Sequence, residues 1–173
     1  MIVFSQPTLP LFYPHEIQLV KSLWDNKTEE VKYSTNDTRS YTSCYLSEPN
    51  PTTRRLLAWA ESVIGQEINE NRISLILHKF QVGDSFPRHR DDVVANQGNR
   101  KYVIGMNLSN KYEGGDYRIY TEGQKIVTLD PTPGVPYVMR ADMEHEILPI
   151  TSGIRESCLI FLYEHNFNKK TLL

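Results

Sequence analysis

The sequence predicts an α+β fold, mainly β: a double-stranded β-helix, or jelly roll, backed by N-terminal helices. Two observations carry that prediction. Up to about residue 70, apolar residues recur at helical spacing in two stretches. After Asn71 the period drops to two, in short apolar runs separated by turn chemistry. Helices followed by strands with no helix between them argue against a parallel α/β sheet and for stacked antiparallel sheets. A chain of 173 residues, 39% hydrophobic and without repeats or composition breaks, suits a single domain over 1–173. Helical support would occupy about 1–70 and the jelly-roll core about 71–165.

The first helix is expected in PHEIQLVKSLWDN, where Pro14 suits the first turn and Ile17, Val20, Leu23 and Trp24 form one stripe. YSTNDTRSYTSCYLS follows, rich in β-formers, and should hold a strand. The second helix is NPTTRRLLAWAESVIGQ, with Asn50 as N-cap, Pro51 at the first position, Gly65 as stop and Leu56, Ala60, Val63 and Ile64 as its buried face. Strands are expected in RISLILHKFQ, KYVIGMNLS, GDYRIY, KIVTL, YVMR and SCLIFLY, with turns at VGDS, NKYEGG, TEGQ, DPTPG and TSG. DDVVANQGNR, polar and interrupting the strands, reads as a lid.

Charge and composition narrow the function. A formal net charge of −2 gives no field that would recruit nucleic acid or an anionic membrane. The N-terminus lacks the basic n-region of a secretory signal, and no apolar run approaches the ~20 residues of a membrane span, so a cytoplasmic protein is expected. Cys44 and Cys158 are too few for a disulfide scaffold and read as reduced thiols. No long apolar helix face is left over, which favours a monomer.

Chemistry concentrates in FQVGDSFPRHRDD. On a strand, residues i and i+2 share a face, so His89 and Asp91 would converge while Arg90 and Asp92 point away. That pair alone is either a solvated edge or part of a metal site. Two imidazoles and one carboxylate on one face make the ligand set of mononuclear non-haem Fe(II) sites. His145, near the end of the strand series, is a candidate third ligand. Ten residues later Arg155 enters the apolar strand SCLIFLY, where a cation needs an anion and a carboxylate is the natural partner. His78, inside an apolar strand, reads as a core or supporting residue, and Gly114 and Gly115 as turn formers.

With these residues in place the chain resembles the Fe(II)- and 2-oxoglutarate-dependent dioxygenases, prolyl-4-hydroxylase-like branch. The pattern aromatic-x-x-Gly-x-x-aromatic-x-x-His-x-Asp is met by Phe80, Gly83, Phe86, His89 and Asp91. The later Gly-Gly is Gly114-Gly115, the Pro-x-x-Gly turn lies in DPTPGVPYV, and the distal histidine and basic residue match His145 and Arg155. The resemblance implies that His89, Asp91 and His145 bind Fe(II) and that Arg155 holds the distal carboxylate of 2-oxoglutarate. By the same resemblance oxygen would be the second co-substrate, ascorbate a reductant, and a protein or peptide side chain, prolyl first, the hydroxylated substrate. Phe80 stands where the family often has tyrosine, which removes a hydroxyl from that position; Asn107 offers an amide where relatives can offer tyrosine to the same carboxylate. Arg100, Tyr102 and Tyr117 are expected to face substrate. The second arginine that AlkB-type nucleic-acid demethylases carry six residues beyond the first is Phe161 here, which ranks that function lower. A free amino acid as substrate and a non-catalytic metal-binding β-helix are the remaining alternatives.

Overall fold

A computed structural model describes residues 4–24, 30–34, 40–46, 48–92 and 99–165. The major sheet has seven antiparallel strands. In spatial order they are β1 (Phe4–Ser5), β10 (Pro136–Arg140), β6 (Arg100–Asn107), β13 (Arg155–Tyr163), β4 (Ile73–Phe80), β3 (Ser40–Leu46) and β2 (Glu30–Ser34). Facing it is a four-stranded sheet of β5 (Phe86–His89), β11 (His145–Ile147), β8 (Tyr117–Tyr120) and β9 (Ile126–Thr128). A small ribbon pairs β7 (Tyr112–Gly114) with β12 (Ile150–Gly153). This is the expected jelly roll; β1 and the ribbon, built where turns were expected at NKYEGG and TSG, are additions to it.

Two helices back the major sheet. In α1 (Pro14–Lys21) Glu16 closes the first turn by accepting from the Tyr13 backbone N–H at 2.9 Å. The stripe continues into a 3₁₀ turn, Ser22–Trp24, so the α-helix proper is shorter than the sequence suggests. In α2 (Pro51–Ile64) the Asn50 side chain accepts from Thr53 N–H at 2.8 Å, and Gly65 ends the helix with φ +75°, the left-handed region glycine enters freely. Its Leu56, Leu57 and Ala60 are buried against the sheet.

The major sheet is buried on both faces. Along β4, Ile73, Leu75 and Leu77 face the helices, while Ile76, His78 and Phe80 face the space between the sheets. Along β13, Cys158, Ile160 and Leu162 face the helices, and Leu159, Phe161 and Tyr163 face the interior with Arg155 and Ser157. Cys44 and Cys158 are both buried and outside any disulfide, paired in register to opposite sides of Leu77, hence two strand spacings, about 10 Å, apart.

Candidate metal centre and acid pocket

Cross-strand pairing builds the metal cluster. His89 on β5 and His145 on β11 are direct register partners, with ring centroids 4.2 Å apart. Asp91 lies two residues past the end of β5, and its backbone N–H donates to Ala141 O at 2.8 Å, which pins it beside the turn leading to His145. One ligand atom from each of the three lies within 4.8 Å of the others. The Asp91 oxygens stand 3.3 Å from His145 Nε2 and 3.6 Å from His89 Nε2. Arg90 is turned outward onto Asp92, as the strand alternation expected.

The electrostatics suit a cation. His89 Nδ1 lies 2.7 Å from Pro87 O and His145 Nδ1 3.0 Å from Met143 O. A carbonyl only accepts, so each Nδ1 carries the proton and each Nε2 presents its lone pair to the centre. Burial lowers the His89 pKa, outweighing the opposing pull of Asp91, so the neutral ligand form prevails. Burial alone would raise the Asp91 pKa; the His145 and His89 side chains set against its oxygens outweigh this and hold the carboxyl well below its usual range. Two imidazoles and one carboxylate fit a 2-His-1-carboxylate Fe(II) site with open positions.

Arg155 occupies the other end of the same interior. It is 5% exposed, yet among the described residues no carboxylate lies within 4.0 Å of its guanidinium. Glu156 pairs instead with Lys21 (2.5 Å) and Lys79 (3.6 Å), and Glu144 with Arg88. Its one hydrogen bond among the described residues is to Ser157 Oγ at 3.4 Å, and its Cζ lies 5.7 Å from the Phe80 ring centroid and 5.9 Å from that of Tyr117. Gly115 makes room for it: a Cβ there would sit 3.2 Å from Arg155 Cδ and 2.3 Å from Ile150 Cδ1. Arg155 opens into a cavity of about 340 Å³ lined also by Asn107, Tyr112, Gly115, Tyr117 and Tyr137. Leaving a buried cation without an anion is costly, so the pocket is suited in charge to an acid.

Tyr117 joins the two ends. Its ring stacks on His145 at 5.3 Å with an interplanar angle of 3°, and it also lines the acid pocket. Burial raises the pKa values of Tyr117 and Tyr137, so both phenols stay protonated and can donate. His78, 8% exposed beside Tyr41, is pushed down to about 3, first by burial and then by Arg155, and stands neutral outside the metal cluster.

Three expected contacts are corrected. Tyr102 does not face the substrate opening: it is 4% exposed within the helix-side core. Tyr102 shares the face of Ile104 and Met106, and a bulge then parts it from Arg100: Leu162 pairs with Tyr102 but Tyr163 with Arg100, which places Lys101 as an extra residue. Arg100 is thereby brought onto the interior face, its guanidinium 3.7 Å above the Phe161 ring and 3.5 Å from Asp91 Oδ1, so it braces Asp91. Asn107 Nδ2 faces the carbonyls of Ser109 (2.7 Å) and Pro131 (2.6 Å) and the Tyr112 hydroxyl (2.9 Å), which occupy both its protons; Oδ1 is a buried acceptor without a partner among the described residues and repels a carboxylate. Ser157 and Tyr137 were missed. Ser157 was within reach of strand alternation, two residues from Arg155; Tyr137 needed the register of β10 on β6.

No family model and no curated protein matches the sequence. Solved structures do match. A prolyl-4-hydroxylase from Pseudomonas putida superposes with a TM-score of 0.74 at 15% identity, covering 94% of this chain and 92% of that one. An oxidoreductase of the 2OG-Fe(II) oxygenase family from Burkholderia pseudomallei gives 0.72 at 15% identity, covering 96% and 88%. A prolyl hydroxylase from Trichoplax adhaerens, in complex with a hypoxia inducible factor peptide fragment, gives 0.71 at 16% identity, covering 93% and 83%. Along nearly its whole length, this chain is built on the fold of the prolyl hydroxylases and 2OG-Fe(II) oxygenases.

Proposed function

We propose that the protein is an Fe(II)- and 2-oxoglutarate-dependent dioxygenase that hydroxylates a protein or peptide side chain, with proline the first candidate. The observation that carries this reading is Arg155, a buried guanidinium with no carboxylate partner among the described residues, in the same sheet interior as a His-Asp-His cluster. A carboxylic acid able to reach both is a chelating keto acid with a distal carboxylate, which 2-oxoglutarate is. When bound, iron and keto acid together supply oxygen activation, with succinate, carbon dioxide and a hydroxylated substrate as products.

The protein's own residues bind and orient. His89 and His145 present Nε2 and Asp91 its carboxylate, Arg100 braces Asp91, and Arg155 with Ser157 receives the acid. Phe80, Tyr117 and Tyr137, all under 10% exposed, keep water from the space between. The Trichoplax neighbour, which holds a peptide, supports the peptide class. Position 161 supports it over a nucleic-acid base: the ring of Phe161 carries Arg100 there, and the net charge is −2.

The test is anaerobic addition of Fe(II) and then 2-oxoglutarate, with visible absorption recorded, followed by oxygen and a succinate assay. An absorption band and succinate release are expected. A lysate incubated with enzyme, digested and examined by mass spectrometry should show oxygen-atom additions on peptides that vanish in His89→Ala. Turnover of alkylated oligonucleotides or of free amino acids alone would overturn the substrate class, and a protein that ignores ferrous iron would overturn the activity.

A further inference from the structure

We propose that Tyr137 donates its phenol hydrogen bond to the distal carboxylate of the keto acid, in place of the hydroxyl that Phe80 lacks, and that Gly105 is the opening that admits it. This deepens the reading above and rests on it.

Gly105 and Tyr137 are register partners on β6 and β10. A Cβ built on Gly105 would meet Tyr137 Cζ and Oη at 2.5 Å and Cε1 at 2.7 Å. The tip of the phenol therefore lies against the Gly105 backbone, inside what any side chain would occupy. Gly105 is absent from the positive-φ glycines, so glycine serves space here and not backbone conformation. On its other side β6 pairs with β13 through Gly105 and Leu159, so the phenol reaches across the sheet toward the strand that carries Arg155.

The surroundings are those of an acid site. Tyr137 is 3% exposed, its ring is 5.4 Å from that of Tyr117, and both line the cavity into which Arg155 opens. The Asn107 amide is spent, since Nδ2 is directed to the Ser109 and Pro131 carbonyls and the Tyr112 hydroxyl. Phe80, at the position of the family's frequent tyrosine, contributes only its ring face to Arg155. A protonated phenol held against the strand next to a lone guanidinium adds the second donor that a two-oxygen carboxylate needs.

Anaerobic titration of the Fe(II)-loaded protein with 2-oxoglutarate, read by its visible absorption band, tests this in Tyr137→Phe. The dissociation constant should rise at least tenfold, whereas that for 2-oxobutanoate, which has no distal carboxylate, should change less than threefold. Gly105→Ala, which displaces the phenol without removing it, should show the same selective loss, and melting temperatures of both variants report folding. Equal weakening of both keto acids, or an unchanged 2-oxoglutarate constant in a folded variant, overturns the proposal. A wild-type protein with no band sinks the parent reading instead, so the two failures are distinguishable.

Discussion

The two ends of the sheet interior are held together in opposite ways. At the metal end every group is provided for: each imidazole has a carbonyl at Nδ1, and Asp91 has two histidines and Arg100. At the acid end, among the described residues, Arg155 lacks an anion and Asn107 Oδ1 lacks a donor. The metal end is organised before anything binds, whereas the acid end stores an electrostatic debt that its ligand settles. The difference teaches where affinity for each would reside under the proposed function: geometry for the metal, unmet charge for the acid.

The largest effect expected is at the metal end. His145→Ala should weaken Fe(II) binding by more than the roughly 10–100-fold that loss of a supporting partner costs. Equilibrium titration with Mn(II) or Fe(II) measures it, and unchanged affinity would break the contrast. Arg155→Met comes next and should split two quantities. Affinity for 2-oxoglutarate should fall about a hundredfold, while unfolding stability rises by about 1–3 kcal/mol because a lone buried charge is gone. Denaturant melts beside keto-acid titrations read both, and a loss of stability would show that Arg155 already has its partner.

A third expectation sharpens the comparison through pH. His78 is held near 3 in the folded protein against about 6.5 unfolded. Between those values the unfolded chain binds the proton and the folded one does not, so its contribution to stability is intact above pH 6.5 and drains away toward pH 3. His78→Phe should flatten that acid limb by about a few kcal/mol. Chemical melts at pH 7 and pH 4 decide, and an unaltered slope would remove His78 from the account. The smallest effect is assigned to Tyr102→Phe: buried on the helix side, it should change kcat/KM by less than about twofold, and a selective rise in substrate KM would restore it to the opening.

Much of this was legible in the sequence wherever the information is local. The ends of α2 follow from Asn50 and Gly65, and the triad from His89-x-Asp91 with a distant histidine. What was not legible depends on pairing. Arg100 and Tyr102 share a face on any regular strand, and only the bulge at Lys101, visible in the offset against Leu162 and Tyr163, sends them apart. Asn107 reads as a free amide until the loop carbonyls of Ser109 and Pro131 close on it. Tyr137 and Gly105 are 32 positions apart and become one feature only through the β10–β6 register. The predicted lid falls mostly on 93–98, outside the described residues.

The placement of Cys158 bears on how such a protein would survive its own chemistry. Burial pushes its thiol up to about 12, and its side chain sits on the helix side of the sheet, opposite the metal ligands. At neutral pH almost no thiolate forms, and thiolate is what peroxides and alkylating agents attack. Sulfur stays inert behind a wall of backbone, so oxidative inactivation should strike the exposed rim and leave the thiols titratable once the chain is unfolded.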